Sequence, residues 1–149
     1  MKNIYRSMIF ILLISLLAAA GTNAYAAQAS ISNDLAAQVI AYTNSDRARY
    51  GLAPLRADAE LTAAARVRAQ ELLQKFSHTR PDGSSWSTVS AKAKGENIAR
   101  GYRSAAAVTA AWLSSAGHRR NILRESYGSI GVCAVRVNGV IYWVQLFGR

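Results

Sequence analysis

Residues 130–147 constrain the fold more than any other stretch. Ile130 to Val137 and Val140 to Phe147 are β-branched and aromatic runs separated only by Asn138-Gly139, the pattern of a two-residue β-hairpin. In that register Val137, Val135 and Cys133 share one face with Val140, Tyr142 and Val144. Arg136, Ala134 and Val132 share the other with Ile141, Trp143 and Gln145. Both faces are largely apolar, so both need cover. The architecture that supplies it is an α+β fold: a three-layer α-β-α sandwich whose central antiparallel sheet ends in this hairpin.

Helices to cover the sheet are visible upstream. Ser32 or Asn33 can cap a helix over roughly 33–50 on which Leu35, Val39, Ile40 and Tyr42 share a side, with Arg47 and Arg49 in the last turn and Gly51 as terminator. Asp58 caps a second helix in which Leu61, Ala65, Ala69, Leu72 and Phe76 recur at helical spacing, and Glu71 faces Lys75 at i, i+4. That pattern stops at Ser77-His78-Thr79-Arg80, before a Pro81-Asp82-Gly83 turn. Residues 84–94 read as mostly irregular, anchored by Trp86 and Val89, and Gly95–Ala99 as a short strand or extended entry. Ser104 caps a helix carrying Val108, Ala111 and Trp112 that stops before Gly117-His118. Without repeats or a linker, the expectation is a single domain over 27–149.

The first 26 residues read differently. Lys2 and Arg6 precede an apolar run from Met8 to Ala20, followed by Gly21-Thr22-Asn23 and Ala24-Tyr25-Ala26. This is the three-part pattern of a secretory signal peptide over 1–26, cut after Ala26. Thirteen apolar residues fall short of the ~20 that span a membrane, so no stable span is expected in the mature chain and its location is secreted or periplasmic. Cleavage leaves 123 of 149 residues and, with Lys2 and Arg6 gone, a charge of +8 in place of +10. A domain of that size can bury roughly two thirds of its unfolded surface and fold unstapled. One cysteine, Cys133, excludes an intramolecular disulfide, Cys-based zinc fingers and iron–sulfur clusters. In its apolar run it reads as a small buried hydrophobe, ahead of a reactive thiol or an intermolecular disulfide.

Chemistry is left to histidine, carboxylate and hydroxyl groups. The two histidines, His78 and His118, stand forty residues apart, each in a polar loop after a helix; that spacing matches no local metal motif. Glu96 lies between Gly95 and Asn97 at a strand edge, where a carboxylate commonly faces water or accepts from backbone N–H groups. Trp112, Trp143 and Tyr142 read first as core, and Asn97 and Asn121 as loop supports. Arg80, Arg100, Arg103, Arg119 and Arg120 gather in sequence around the three candidates. Cations there attract anionic ligands and repel a metal ion. Nucleic acid is a poor partner for an exported chain with no recognition helix or aromatic platform.

Taken together, five strings carry a resemblance. They are Asn44-Ser45-Asp46-Arg47-Ala48-Arg49-Tyr50-Gly51-Leu52, Phe76-Ser77-His78-Thr79-Arg80-Pro81-Asp82-Gly83, Gly95-Glu96-Asn97-Ile98-Ala99, the stretch from Trp112 through Gly117-His118-Arg119-Arg120-Asn121 to Leu123, and Tyr142-Trp143-Val144-Gln145-Leu146-Phe147-Gly148. In this order they resemble the signatures of bacterial CAP-superfamily domains, the group of cysteine-rich secretory proteins, antigen 5 and plant pathogenesis-related proteins. The resemblance implies the same α-β-α sandwich and a central cleft of two histidines and two acids, whose imidazoles can hold zinc or another divalent cation. The matching positions are His78, Glu96 and His118. The second acid is replaced by Ser115, as in many bacterial members, which weakens any mechanism needing two carboxylates. Glu96 can orient an imidazole, ligate or act as base, and these roles compete.

The expectation is a ligand-binding domain, with Ser115, Asn97 and Arg119 as contact residues and an anionic envelope component, a lipid or a host surface molecule as partner. The alternative is a peptidase-like, metal-assisted hydrolase using water activated between His78 and His118 with Glu96 as base.

Overall fold

The computed structural model describes residues 29–149; the expected signal peptide lies outside them. Ser32 accepts from the N–H of Leu35 and starts α1 (Asn33–Arg49), and Asp58 accepts from that of Leu61 and starts α2 (Ala59–Gln74). Ser104 starts α3 (Ala105–Ser114) in the same way. All three caps were legible because each short polar side chain precedes an apolar periodic run. Strands β1 (Ala29–Ile31), β2 (Arg56–Ala57), β3 (Gly95–Arg100), β4 (Ser129–Val137) and β5 (Val140–Gly148) form one sheet in the order β1-β4-β5-β3, with β2 pairing parallel to β4 and all other pairs antiparallel.

The hairpin register is the expected one, Val137 opposite Val140 and Ala134 opposite Trp143. Asn138 and Gly139 both take positive φ, 48° and 79°, as a type I′ turn requires. Its faces enter two separate cores. Val132, Ala134, Ile141 and Trp143 pack with Val39 of α1 and Val108 and Trp112 of α3. Cys133, Val135, Val144 and Leu146 pack under Leu61, Ala65, Ala69 and Leu72 of α2. The layers are therefore α1 and α3, the sheet, and α2.

Several local expectations are corrected. Helix α2 ends at Gln74, and Lys75 is already extended (φ −146°), so Phe76 leaves the apolar stripe and is exposed. Glu71 consequently pairs with Arg68 and Arg80 instead of Lys75. Tyr42 is also exposed. His118 is not in a loop: the chain breaks for one extended residue at Ser115 and restarts as α4 (Ala116–Ile122), with His118 in its first turn. A short Trp86–Val89 3₁₀ turn interrupts the otherwise irregular 84–94 stretch.

Helix α4 is held by side chains. Asn121 donates to the Glu96 carbonyl at 3.1 Å and to Asn97 Oδ1 at 2.9 Å. Asn97 donates to the His118 carbonyl and to Gln145 Oε1, and Gln145 donates to Thr43 Oγ1. On α3, Trp112 donates its indole N–H to the Ile98 carbonyl. From α1, buried Arg47 donates to the carbonyls of Ala53, Ile122, Arg124 and Tyr127, satisfying groups that a helix end leaves without partners.

Candidate functional site

His78 follows α2 with its ring half exposed, and its Nδ1 lies 2.7 Å from Oε1 of Glu96 on β3. Glu96 does not face water: its side chain has no exposed surface. The reason is Arg68 of α2, also with no exposed surface, whose Nε donates to Glu96 Oε2 at 2.7 Å and whose Nη2 donates to Oε1 at 3.3 Å. Facing an acceptor-only carboxylate, His78 Nδ1 is the donor, and in the neutral imidazole Nε2 then keeps its lone pair.

The pair extends into a network. Arg68 Nη1 donates to Glu71 Oε2 at 2.6 Å, and Arg80 donates to Glu71 Oε1 through Nε and Nη2. Burial alone would lower the Arg68 guanidinium pKa, but Glu96 and Glu71 hold it above its ordinary value. Burial likewise would raise the Glu71 carboxyl, yet hydrogen bonds from Arg80 and Arg68 keep it below the usual range.

His118 lines a cavity of about 290 Å³ together with Phe76, Ile98, Arg100, Tyr102, Trp112 and Ser115. Burial pushes its imidazole below the ordinary histidine value. Ser115, between α3 and α4, makes no side-chain cap bond, so its hydroxyl is available at the cavity. Asn97 is wholly buried and acts on the site through the His118 carbonyl. Arg119 is not among the cavity walls: it donates to Tyr50 Oη at 2.8 Å and lies over that ring. Arg100, whose guanidinium sits 4.9 Å from the Phe76 ring centre, is a wall and has no carboxylate partner among the described residues.

Among the described residues, no three His, Cys, Asp or Glu side chains converge as a metal-holding group. Arg68 and His78 occupy the Glu96 oxygens, which leaves imidazole nitrogens as the donors in this region. Two imidazoles alone fall short of the closed, four-donor set of a structural zinc site. With both oxygens committed, Glu96 is an orienting group for His78 and is poorly placed to take a proton from water.

Sequence reasoning missed Arg68, although a signal was present. Leu61, Ala65, Arg68, Ala69 and Leu72 form one helical stripe, and a cation on an apolar stripe needs a buried acid. Arg100 and Phe76 as cavity walls had no comparable signal, since both depend on where α2 ends.

Fold and site together define an α-β-α domain with a histidine-bearing region beside an aromatic cavity. The chain belongs to the cysteine-rich secretory protein (CAP) family, whose model matches residues 40–147. It is 38% identical over 120 residues to the uncharacterized protein YkwD of Bacillus subtilis (strain 168), covering 75% of this chain and 46% of that one. An extracellular SCP-domain protein of Bacillus anthracis str. Ames superposes with a TM-score of 0.69 at 28% identity, over 78% of this chain and 41% of that one. A structure described as NaASP2 with Zn²⁺ superposes at 0.62 with 17% identity, over 79% and 80% of the two chains, a likeness of fold alone. The chain thus spans less than half the length of the two Bacillus proteins. No helix among the described residues is long and apolar enough to cross a membrane.

Proposed function

We propose that this is an extracellular ligand-binding domain that takes an anionic, partly apolar envelope component against Phe76, Trp112 and Tyr102, with Arg100, Ser115 and His118 as polar contacts. The observation that carries the reading is the cavity itself: aromatic walls meet an arginine with no acidic partner among the described residues and a partly desolvated imidazole in one recess of about 290 Å³. The net charge, +10 for the full chain and +8 without residues 1–26, favours encounter with such a partner. The signal-peptide pattern and a neighbour described as extracellular support an exported domain, which would meet such a component. Sedimentation with phosphatidylglycerol vesicles, compared with phosphatidylcholine vesicles, tests it. Binding should favour the anionic vesicles, weaken with ionic strength and fall with Arg100→Ala; equal binding to both, unaffected by salt, overturns it.

His78 and His118 are the residues that would hold a divalent ion, and a neighbour of the same fold was solved with Zn²⁺. When bound, such an ion polarises a coordinated oxygen and acidifies bound water. Metal analysis of protein purified without added zinc should find metal that His78→Ala lacks. Equal content in both removes His78 from this role. The hydrolytic alternative keeps one specific support, the His78–Glu96 hydrogen bond: with no ion on His78, its Nε2 is free to accept a proton in place of the Glu96 carboxylate.

A further inference from the structure

We infer that Arg68, whose side chain has no exposed surface, is the positioning residue that decides which nitrogen His78 presents. This deepens the reading of His78 as a donor at the site. The guanidinium grips His78 from two directions. Nη2 donates to the carbonyl of Ser77 at 2.8 Å, fixing the peptide just before the histidine. Nε and Nη2 hold the Glu96 carboxylate that in turn holds the ring. Through Nη1, Arg68 also fixes Glu71, and Glu71 anchors Arg80 two residues beyond His78. One side chain therefore holds the peptide before His78, its ring partner and, through Glu71, the side chain of Arg80.

The consequence concerns the tautomer. The proton of a neutral imidazole sits on the nitrogen whose hydrogen bond is better satisfied. With Glu96 turned so that Oε1 meets Nδ1, the proton stays there and Nε2 remains an acceptor or ligand. Only a planar fork can hold the two carboxylate oxygens while also reaching Glu71 and Ser77. An ammonium keeps the charge and loses the fork, so Glu96 is no longer aimed and His78 takes both tautomers. Arg68 thus acts on the ligand-facing nitrogen from the opposite side of the carboxylate.

Long-range ¹H–¹⁵N spectra of the two imidazoles in the full domain, at about pH 8 where an ordinary imidazole is neutral, read this directly. Wild type should show His78 with its proton on Nδ1. Arg68→Lys should show a mixture for His78 with the amide spectrum still that of a folded protein. Should Arg68→Lys not fold, Glu71→Gln, which removes one anchor of the fork from a less buried position, should move His78 partway in the same direction. A single Nδ1–H tautomer persisting in a folded Arg68→Lys protein, or in Glu71→Gln where that is the variant measured, overturns the inference. The measurement uses neither ligand nor metal, so it can fail while vesicle binding succeeds, or succeed while vesicle binding fails.

Discussion

A guanidinium with no exposed surface is costly unless its donors are matched, and Arg68 matches them with Glu96, Glu71 and the Ser77 carbonyl. Removing one partner of a buried pair strands the other, at a cost of about 3–5 kcal/mol. Arg68→Met should therefore destabilise by about that much in urea unfolding, and the Arg68→Met/Glu96→Leu double variant should recover a large part of it. Additive losses would mean the pair is not coupled. Glu71 gives a pH signature. Its folded-state pKa lies below the ordinary value, so its contribution is present above the usual glutamate range and disappears as pH falls through the folded-state value. Unfolding free energy measured at stepped acidic pH should fall more steeply for wild type than for Glu71→Gln; parallel curves would refute this. At this scale the sequence was only half legible. His78, Glu96 and His118 stood out by residue type, whereas Arg68, although it sits on an apolar stripe, was passed over by a reading that treated arginines as solvated, because the acid that matches it is distant in the chain.

Helices and strands were more readable than their partners. The three caps and the hairpin register follow from local chemistry and matched the structure, while α4 did not announce itself because Gly117 and a seven-residue length give little periodicity. Strands β1 and β2 are three and two residues long, too short to carry an alternation. One element-level contact is set by a glycine. A Cβ at Gly131 of β4 would collide with the backbone of α2 at Leu61 and Thr62, so α2 lies on the sheet only because no side chain projects there. Gly131→Ala should cost more than about 3 kcal/mol, beyond the usual range for overpacking, since backbone on both sides must move. A chemical-denaturation midpoint close to wild type would show that α2 can shift freely.

Across the whole molecule, the two-sided hairpin was enough to infer three layers, because apolar surface on both faces leaves few other ways to exclude water. Which helix covers which face was not legible, since α1, α2 and α3 all carry apolar stripes and their order in space depends on the crossovers. Cys133 sits in the middle layer beneath α2, 1% exposed, with burial pushing its thiol up to about 11. It should resist alkylation in the native state and react at a rate set by global opening. Mass spectrometry after thiol labelling across a denaturant series should track the unfolding curve, and labelling in native buffer within minutes would place the central layer within reach of solvent. The same burial keeps Cys133 out of intermolecular pairing in the folded protein.

The side chains that fasten α3 and α4 to the sheet have another effect. Trp112 and Asn121 occupy the carbonyls of Ile98 and Glu96 on β3, the groups to which a stranger's backbone would bond. An outermost strand is ordinarily a template for further chains. Here it is already sealed by an indole and an amide, so this strongly basic chain gains protection against edge-to-edge polymerisation from the same bonds that fasten the helix bearing His118.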